Sequence, residues 1–225
     1  VLLAASDASP QTLTQKILDR PRLLERIQSA TGDPARAHLT VFNATPLERT
    51  LAVRLGIPLY GCDPALLEIG GKSGSRQAFR EAGIALPDGA ENLRDTRDLA
   101  TALADLKRRH PRLARAVVKL NHGFSGEGNA IFRYEHGTDE ASIREALPKH
   151  LKMQAPAEDY ASFSARFEDM GGIVEEFVNG VSASPSGQGY IGPLGTLRAL
   201  STHDQLLGGA DGQVFEGSTF PAAAR

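Results

Sequence analysis

A lysine inside an apolar strand, followed by a glycine-rich loop, is the stretch of this sequence best suited to chemistry. Lys119 lies in the run 116–120, and the loop after it contains His122, Gly123, Ser125, Gly126, Glu127 and Gly128. Such a loop can expose several backbone N–H groups on one side, which suits an anion, and an adjacent lysine adds a point charge for phosphate. The pattern predicts a phosphate-binding hairpin. The alternative is an ordinary glycine-rich hairpin whose lysine reaches towards solvent.

Two further stretches carry candidate binding residues. Lys72 lies near a predicted helix start, where a positive charge is unfavourable with the helix dipole unless an anion compensates it. A strand predicted over 172–178 ends with Glu175, Glu176, Phe177 and Val178. Successive side chains of a strand point to opposite faces, so at most one of the two glutamates faces a common cleft.

The stretch around Lys72 superficially suggests a phosphate-binding P-loop, which the sequence excludes. The P-loop pattern requires a glycine where this chain has Leu66, and no apolar strand directly precedes it. No residue is assigned a catalytic role from the sequence, and no set of side chains is assigned to a metal.

Composition limits the classes of partner. The chain has 225 residues, 41% hydrophobic and 23% charged, with a formal net charge of −2. Without a polybasic face, nucleic acid and anionic membranes are poor candidates as partners, and no apolar run approaches the length of a membrane span. Cys62, expected to be a buried thiol, is a single cysteine, which excludes an internal disulfide and favours a reducing cytoplasm. The sequence leaves homo-oligomerisation open.

The first third predicts a parallel α/β unit. A helical segment over 12–30 is interrupted at Pro21, and strands over 39–42 and 57–60 flank a helix that ends at Gly56. Thr45 is the expected N-cap of that helix, with Glu48 completing a capping box.

The remainder predicts alternating helices and strands. A helix over 76–82, capped by Ser73 or Ser75, leads through an extended segment, 84–87, to a helix over 96–108 and then to the Lys119 hairpin. A helix over about 140–151 precedes an irregular polar connection over 155–169. The strand 172–178 follows, then strands over 182–191 and 194–202 and a turn over 206–213.

This order of elements resembles the ATP-grasp superfamily over roughly residues 70–220. The resemblance implies that Lys72 and Lys119 bind phosphate, that the 122–128 loop closes over the phosphates, and that the strand segment 175–178 binds the adenine edge. It also implies ATP and Mg²⁺ as cofactors. A closing loop suits such chemistry because an acyl phosphate exposed to water would hydrolyse.

Two other regions resemble parts of ligases in the same superfamily. Residues 1–70 are similar to a pre-ATP-grasp domain. The stretches 200–205 and 212–222 resemble a subgroup of carboxylate–amine ligases that includes a peptide ligase. The resemblance implies that a small-molecule carboxylate is phosphorylated by ATP and then attacked by an amine or peptide substrate.

The expected fold class is therefore α/β, with α+β character in the second half. The expected domains are 1–70, pre-ATP-grasp, and 71–225, ATP-grasp, divided into a nucleotide lobe (about 71–178) and the start of a second lobe (179–225). Val1 stands in place of an initiator methionine, and the chain ends before the acidic and asparagine Mg²⁺ ligands of the family, so we expect a truncated chain. The alternatives are a non-catalytic nucleotide-binding module and an unrelated α/β protein.

Overall fold

The computed structural model describes residues 1–123, 128–135, 137–155, 158–192, 194–209, 211–212 and 214–223. The chain divides into two compact units, Val1–Gly70 and Gly71–Arg225. The helices are α1 (Leu13–Leu18), α2 (Pro21–Thr31), α3 (Pro46–Leu55), α4 (Leu67–Gly70), α5 (Lys72–Glu81), α6 (Thr96–Arg109), α7 (Glu140–His150) and α8 (Tyr160–Met170). The strands are β1 (Leu39–Thr40), β2 (Leu59–Tyr60), β3 (Gly89–Leu93), β4 (Arg115–Leu120), β5 (Asn129–Arg133), β6 (Leu151–Met153), β7 (Gly172–Glu176), β8 (Pro185–Ile191), β9 (Leu197–Gly208) and β10 (Val214–Thr219). In the described parts of the chain, no helix has the length and apolar character needed to cross a membrane.

The first unit contains the expected parallel strand–helix–strand arrangement. Strand β1 pairs in parallel with β2, and α3 connects them. The predicted break at Pro21 is confirmed, because α2 begins at that residue. A small apolar core holds the unit together, formed by Leu18, Leu24, Leu51, Leu55 and Ile57. Cys62 is exposed, so the expectation of a buried thiol is wrong.

A capping box fixes the start of α3. Leu47 N donates to the Thr45 hydroxyl, and the Glu48 carboxylate accepts from Thr45 N at 2.9 Å. The same carboxylate, which is buried, accepts from the Thr14 hydroxyl at 2.5 Å, so it joins α3 to the segment that contains α1. Burial alone would raise the pKa of Glu48, but the hydrogen bonds from Thr14 and Thr45 outweigh it and hold the pKa below its ordinary value of 4.5.

Thr45→Ala is expected to lower the free energy of unfolding of the first unit by about 1 kcal/mol, because it removes the cap of α3. Glu48 stabilises the folded state above its ordinary pKa, and this contribution is lost as the pH falls through the lower folded-state pKa. The difference between Thr45→Ala and wild type should therefore narrow below about pH 4.5. Urea denaturation at several pH values measures this. Thr50→Ala, an exposed threonine of the same helix, is the control, and an equal loss in both variants would contradict the prediction.

An antiparallel sheet forms the centre of the second unit. Its strand order is β3-β7-β4-β5-β6, and each neighbouring pair is antiparallel. Helices α6, α7 and α8 pack on one face, where they bury the apolar side chains of alternate strand residues. On β4 these residues are Ala116, Val118 and Leu120. The α6 stripe predicted from the sequence is confirmed, since Leu99, Leu103 and Leu106 are all buried in this core.

Two expectations about this unit are wrong. The segment 155–169 was expected to be irregular, but α8 occupies most of it, with Asp159 as its N-cap and Phe163 and Phe167 buried in the core. The helix expected over 76–82 begins earlier, at Lys72, and no side chain of its own caps it. Strands β3 and β6 were not expected from the sequence.

The second sheet of this unit contains β8, β9 and β10, with β9 in the middle and antiparallel to both neighbours. Strand β9 continues to Gly208, through the start of the turn expected over 206–213, and β10 was not expected. Many residues of this sheet are exposed, so its strands lack the alternating burial by which a strand is recognised in a sequence.

Candidate functional site

The candidate site lies on the face of the central sheet opposite the buried core. Because β4 alternates, Arg115, Val117 and Lys119 share the face opposite Ala116 and Val118. Val117 pairs with Glu175 on β7, which places Glu175 on the same face as Lys119. The Lys119 Nζ donates a hydrogen bond to Glu175 Oε2 at 2.7 Å. Strand alternation thus brings the lysine and one of the two glutamates together.

Lys72 is carried to the same place by the start of α5. The backbone N–H groups of Lys72 and Ser73 donate to the backbone oxygen and to Oδ1 of Asn121, at 3.1 Å each. Asn121 follows β4 directly, so it caps α5 in place of a serine from the helix itself. Ser73 also bonds Asn121 through its hydroxyl and accepts from Asn92 N. The helix start, with Lys72, is therefore attached to the end of the strand that carries Lys119.

Burial and a neighbouring positive charge disfavour the protonated form of Lys72. Its Nζ donates to the backbone oxygen of Gly123 at 3.3 Å, and no carboxylate among the described residues forms an ion pair with it. Burial, followed by the positive charge of Lys119, lowers the pKa of Lys72, and the charge of Glu175 only partly opposes these effects. An anion between the two lysines would relieve both the desolvation and the repulsion.

Arg76 supplies a second cation to Glu175. The Arg76 Nη1 donates to Glu175 Oε1 at 2.5 Å and to Pro87 O at 3.0 Å, and its Nε donates to Glu91 Oε2 at 3.1 Å. Arg76 is only 5% exposed and Glu175 7%. Burial alone would raise the pKa of Glu175, but Lys119 and Arg76 outweigh it and hold the pKa below its ordinary value. The carboxylate is therefore charged and has a different cation on each oxygen.

A cavity of about 710 Å³ adjoins this cluster. It is lined by β4 (Val117 and Lys119), by Glu175, and by Phe177 and Val178 after β7. Residues of the second sheet line its other side. Its volume lies within the range of small-molecule sites, 300–1,000 Å³.

Two arginines contact the turn between β9 and β10, and one of them, Arg115, lines the cavity. The Arg115 guanidinium lies 3.8 Å from the centre of the Phe177 ring. Arg115 and Arg133 each donate to Asp211 Oδ1 at 2.9 Å, and Arg115 also donates to Asn179 Oδ1. Asp211 belongs to the turn between β9 and β10, so this contact holds the turn against the central sheet.

The other candidate residues lie around the cluster or away from it. Phe177 and Val178 line the cavity, and Gly123 accepts from Lys72. The Glu176 side chain accepts from Asp88 N at 3.1 Å, whereas Glu175 lies in the cluster. His122 and Gly128 lie at the two ends of the loop, and Gly128 has φ = +78°. Ser125, Gly126 and Glu127 lie outside the described residues.

Arg76, Asn121 and the Arg115–Asp211 contact were not predicted from the sequence. Arg76 could have been found by placing the helix start at Lys72, because residues four apart share a helix face. Asn121 gave no signal, since its partners in α5 are distant in the chain. The Asp211 contact depends on how the second sheet packs, which no local pattern indicates.

Whether the described residues could hold Mg²⁺ depends on the arrangement of their carboxylates. Magnesium is bound by several oxygen ligands, often including carboxylates. Within the described residues, no group of three or more His, Cys, Asp or Glu side chains could hold a metal ion. Glu175, the carboxylate nearest the two lysines, already has a cation on each oxygen. The described residues therefore do not fit a protein-bound Mg²⁺.

Comparisons with known proteins agree with the resemblance drawn from the sequence. A family described as "IQCH-like, ATP-grasp" matches residues 66–150. The L-propargylglycine–L-glutamate ligase of Streptantibioticus cattleyicolor is 30% identical over 231 residues, which cover 100% of this chain and 45% of the ligase. The chain thus spans less than half the length of this curated relative.

Two solved structures show the same fold at low sequence identity. An ADP complex of N5-carboxyaminoimidazole ribonucleotide synthetase is 14% identical, with a TM-score of 0.55 over 91% of this chain and 45% of that chain. The biotin carboxylase domain of the Hydrogenobacter thermophilus 2-oxoglutarate carboxylase is also 14% identical, with a TM-score of 0.56 over 92% of this chain and 41% of that one. The fold matches confirm the α/β fold class, and the sequence matches confirm the resemblance to ATP-grasp ligases.

Proposed function

We propose that this chain binds ATP for a ligase that joins a carboxylate to an amine through an acyl phosphate. The observation that carries the proposal is the cluster of Lys72, Lys119 and Glu175 beside a cavity of about 710 Å³. Two neighbouring lysines, of which only Lys119 has a carboxylate partner among the described residues, suit a polyphosphate, whose charge compensates both. The cavity beside them suits a nucleoside, with Phe177 and Val178 next to the base.

The chemical step follows from the class of reaction. A carboxylate oxygen of the substrate attacks the γ-phosphorus of ATP, the bond to the β-phosphate oxygen breaks, and ADP leaves. An amine then attacks the carbonyl carbon of the acyl phosphate, phosphate leaves, and the amine loses a proton as the amide forms. Lys72 and Lys119 would stabilise the charge on the transferred phosphoryl group. Mg²⁺ accompanies the phosphates of ATP in this proposal and has no assigned protein ligand.

We also propose the domain boundaries of the chain and the class of its substrates. Residues 1–70 form a pre-ATP-grasp domain, and 71–225 an ATP-grasp domain with a nucleotide lobe over about 71–178 and the start of a second lobe over 179–225. The relative from Streptantibioticus is named for joining two amino acids. That name favours amino acids or peptides as the carboxylate and amine here, and so a peptide ligase.

Isothermal titration calorimetry with ATP, with and without Mg²⁺, tests the proposal. We expect saturable binding to wild type and a loss of affinity of at least roughly ten-fold in Lys119→Ala, because one charge-assisted hydrogen bond to phosphate is removed. Lys149→Ala, an exposed lysine at the end of α7, is the matched control and should bind as wild type does. A folded wild-type chain that binds no ATP would refute the proposal. Binding without ADP formation when amino acids are added would favour the non-catalytic nucleotide-binding module.

A further inference from the structure

We propose that Arg76 is a positioning residue of the nucleotide site: it holds the charge of Glu175 so that Lys119 can turn to a phosphate. This inference rests on the proposed function. Arg76 lies beyond the cavity lining and contacts Glu175 rather than the cavity, so its role is exerted through that carboxylate.

Lys119 has to interact with both Glu175 and a bound phosphate. Its ammonium has three N–H donors, and one of them is given to Glu175 at 2.7 Å. A phosphate next to Lys119 competes with Glu175 for the same positive charge. If Lys119 were the only cation at Glu175, moving towards phosphate would leave a buried carboxylate uncompensated, which is strongly unfavourable.

Arg76 removes that conflict because it bonds the other carboxylate oxygen. Its Nη1 lies 2.5 Å from Glu175 Oε1, while Lys119 bonds Oε2. Arg76 is itself held from two further sides, by Pro87 O and by Glu91 on β3. The guanidinium therefore stays in place when Lys119 moves, and Glu175 keeps a counter-charge in both arrangements.

Arg80 provides a matched control on the same helix. It lies one turn after Arg76 and donates to Glu91 Oε1 at 2.5 Å, but within the described part of the chain it forms no ion pair with Glu175. Its side chain is 54% exposed. Arg80→Met thus removes one positive charge from the same ion-pair network without touching Glu175.

A double-mutant cycle measured by calorimetry with ATP tests the inference. Arg76→Met should weaken ATP binding roughly ten-fold in the wild-type background, whereas Arg80→Met should change it less than about two-fold. In the Glu175→Gln background there is no carboxylate charge to compensate, so Arg76→Met should cost less than about two-fold there. A purely structural role of Arg76 predicts instead the same loss in both backgrounds, and that outcome overturns the inference.

A second variant covers the case in which Arg76→Met does not fold, as judged by thermal melting followed by circular dichroism. Arg76→Lys keeps a positive charge near Glu175 but cannot make all three contacts of the guanidinium, so it should lose less than about ten-fold in ATP affinity relative to wild type. A ten-fold loss in Arg76→Lys that persists in the Glu175→Gln background would overturn the inference. The wild-type titration tests the proposed function by itself. If wild type binds ATP but the effect of the Arg76 variants does not depend on Glu175, the role of Arg76 is refuted and the proposed function is not.

Discussion

Lys72→Met should weaken ATP binding by roughly ten- to one-hundred-fold while raising the stability of the free protein. The loss should exceed that of Lys119→Ala, because Lys119 must share its charge with Glu175 and Lys72 has no carboxylate partner among the described residues. Lys72 is half-buried beside another lysine, so an apolar side chain of similar length is expected to raise the free energy of unfolding. Affinity and stability thus change in opposite directions.

The dependence of stability on pH gives this prediction a second measurement. The pKa of Lys72 is lowered in the folded state, so the unfolded chain binds more protons between that pKa and the ordinary value of 10.5. Lys72 therefore contributes a term to the free energy of unfolding of wild type that increases with pH in this window. The Lys72→Met variant should lack this pH dependence. Urea titrations across the alkaline range measure it. Lys149→Met is the control, and a Lys72→Met protein that is less stable than wild type at neutral pH contradicts the prediction.

Phe167→Ala should lower the free energy of unfolding by about 3–5 kcal/mol, because it opens a cavity in the main core. Phe167 is 1% exposed, lies near Phe163 on α8, and its ring lies against Gly172 at the start of β7. Urea denaturation gives the size of the loss. Phe79→Ala, on α5, is the control, since that ring is 47% exposed and should contribute less than about 1 kcal/mol.

The same variant separates stability from binding. Phe167 packs on the face of the sheet opposite Lys119, so the folded fraction of Phe167→Ala should bind ATP within about three-fold of wild type. Calorimetry at a temperature well below the midpoint of unfolding measures this. A small loss of stability would show that α8 is not part of the core and would contradict the packing described here.

Local sequence patterns were sufficient to predict an element when contacts between residues close in the chain determine its structure. Thr45 and Glu48 specify the start of α3 by hydrogen bonds within four residues, and the stripe of Leu99, Leu103 and Leu106 specifies the buried face of α6. The hairpin of β4 and β5 follows from two apolar runs separated by glycines, and it is confirmed. In these cases the determining contacts are close in the chain.

The patterns failed where distant contacts decide. Helix α8 does carry Tyr160, Phe163, Phe167 and Met170 at helical spacing against the core, but this pattern was not recognised within a stretch that is otherwise polar. Helix α5 begins at Lys72 because Asn121, far along the chain, accepts its first N–H groups. That displaced boundary also concealed Arg76, which is one turn from Lys72.

The cluster itself could be predicted only in part. Lys72, Lys119 and Glu175 were selected by residue type and by resemblance, and strand alternation explains why Glu175 rather than Glu176 joins the lysines. The partners that hold them could not be predicted. Arg76, Glu91 and Asp211 have no distinctive sequence pattern, and their contacts form only when distant segments pack together.

Strand β4 carries the core on one face and the candidate site on the other, and this limits how its sequence can change. The deletion or insertion of a single residue within 115–120 would exchange the two faces, putting Lys119 into the apolar core and Val118 into the cavity. Neighbouring residues cannot compensate, because β4 is paired on both sides, with β5 and β7. Over evolution, relatives of this chain can change length in the loops that flank β4, but the strand itself can accept only substitutions that preserve the alternation.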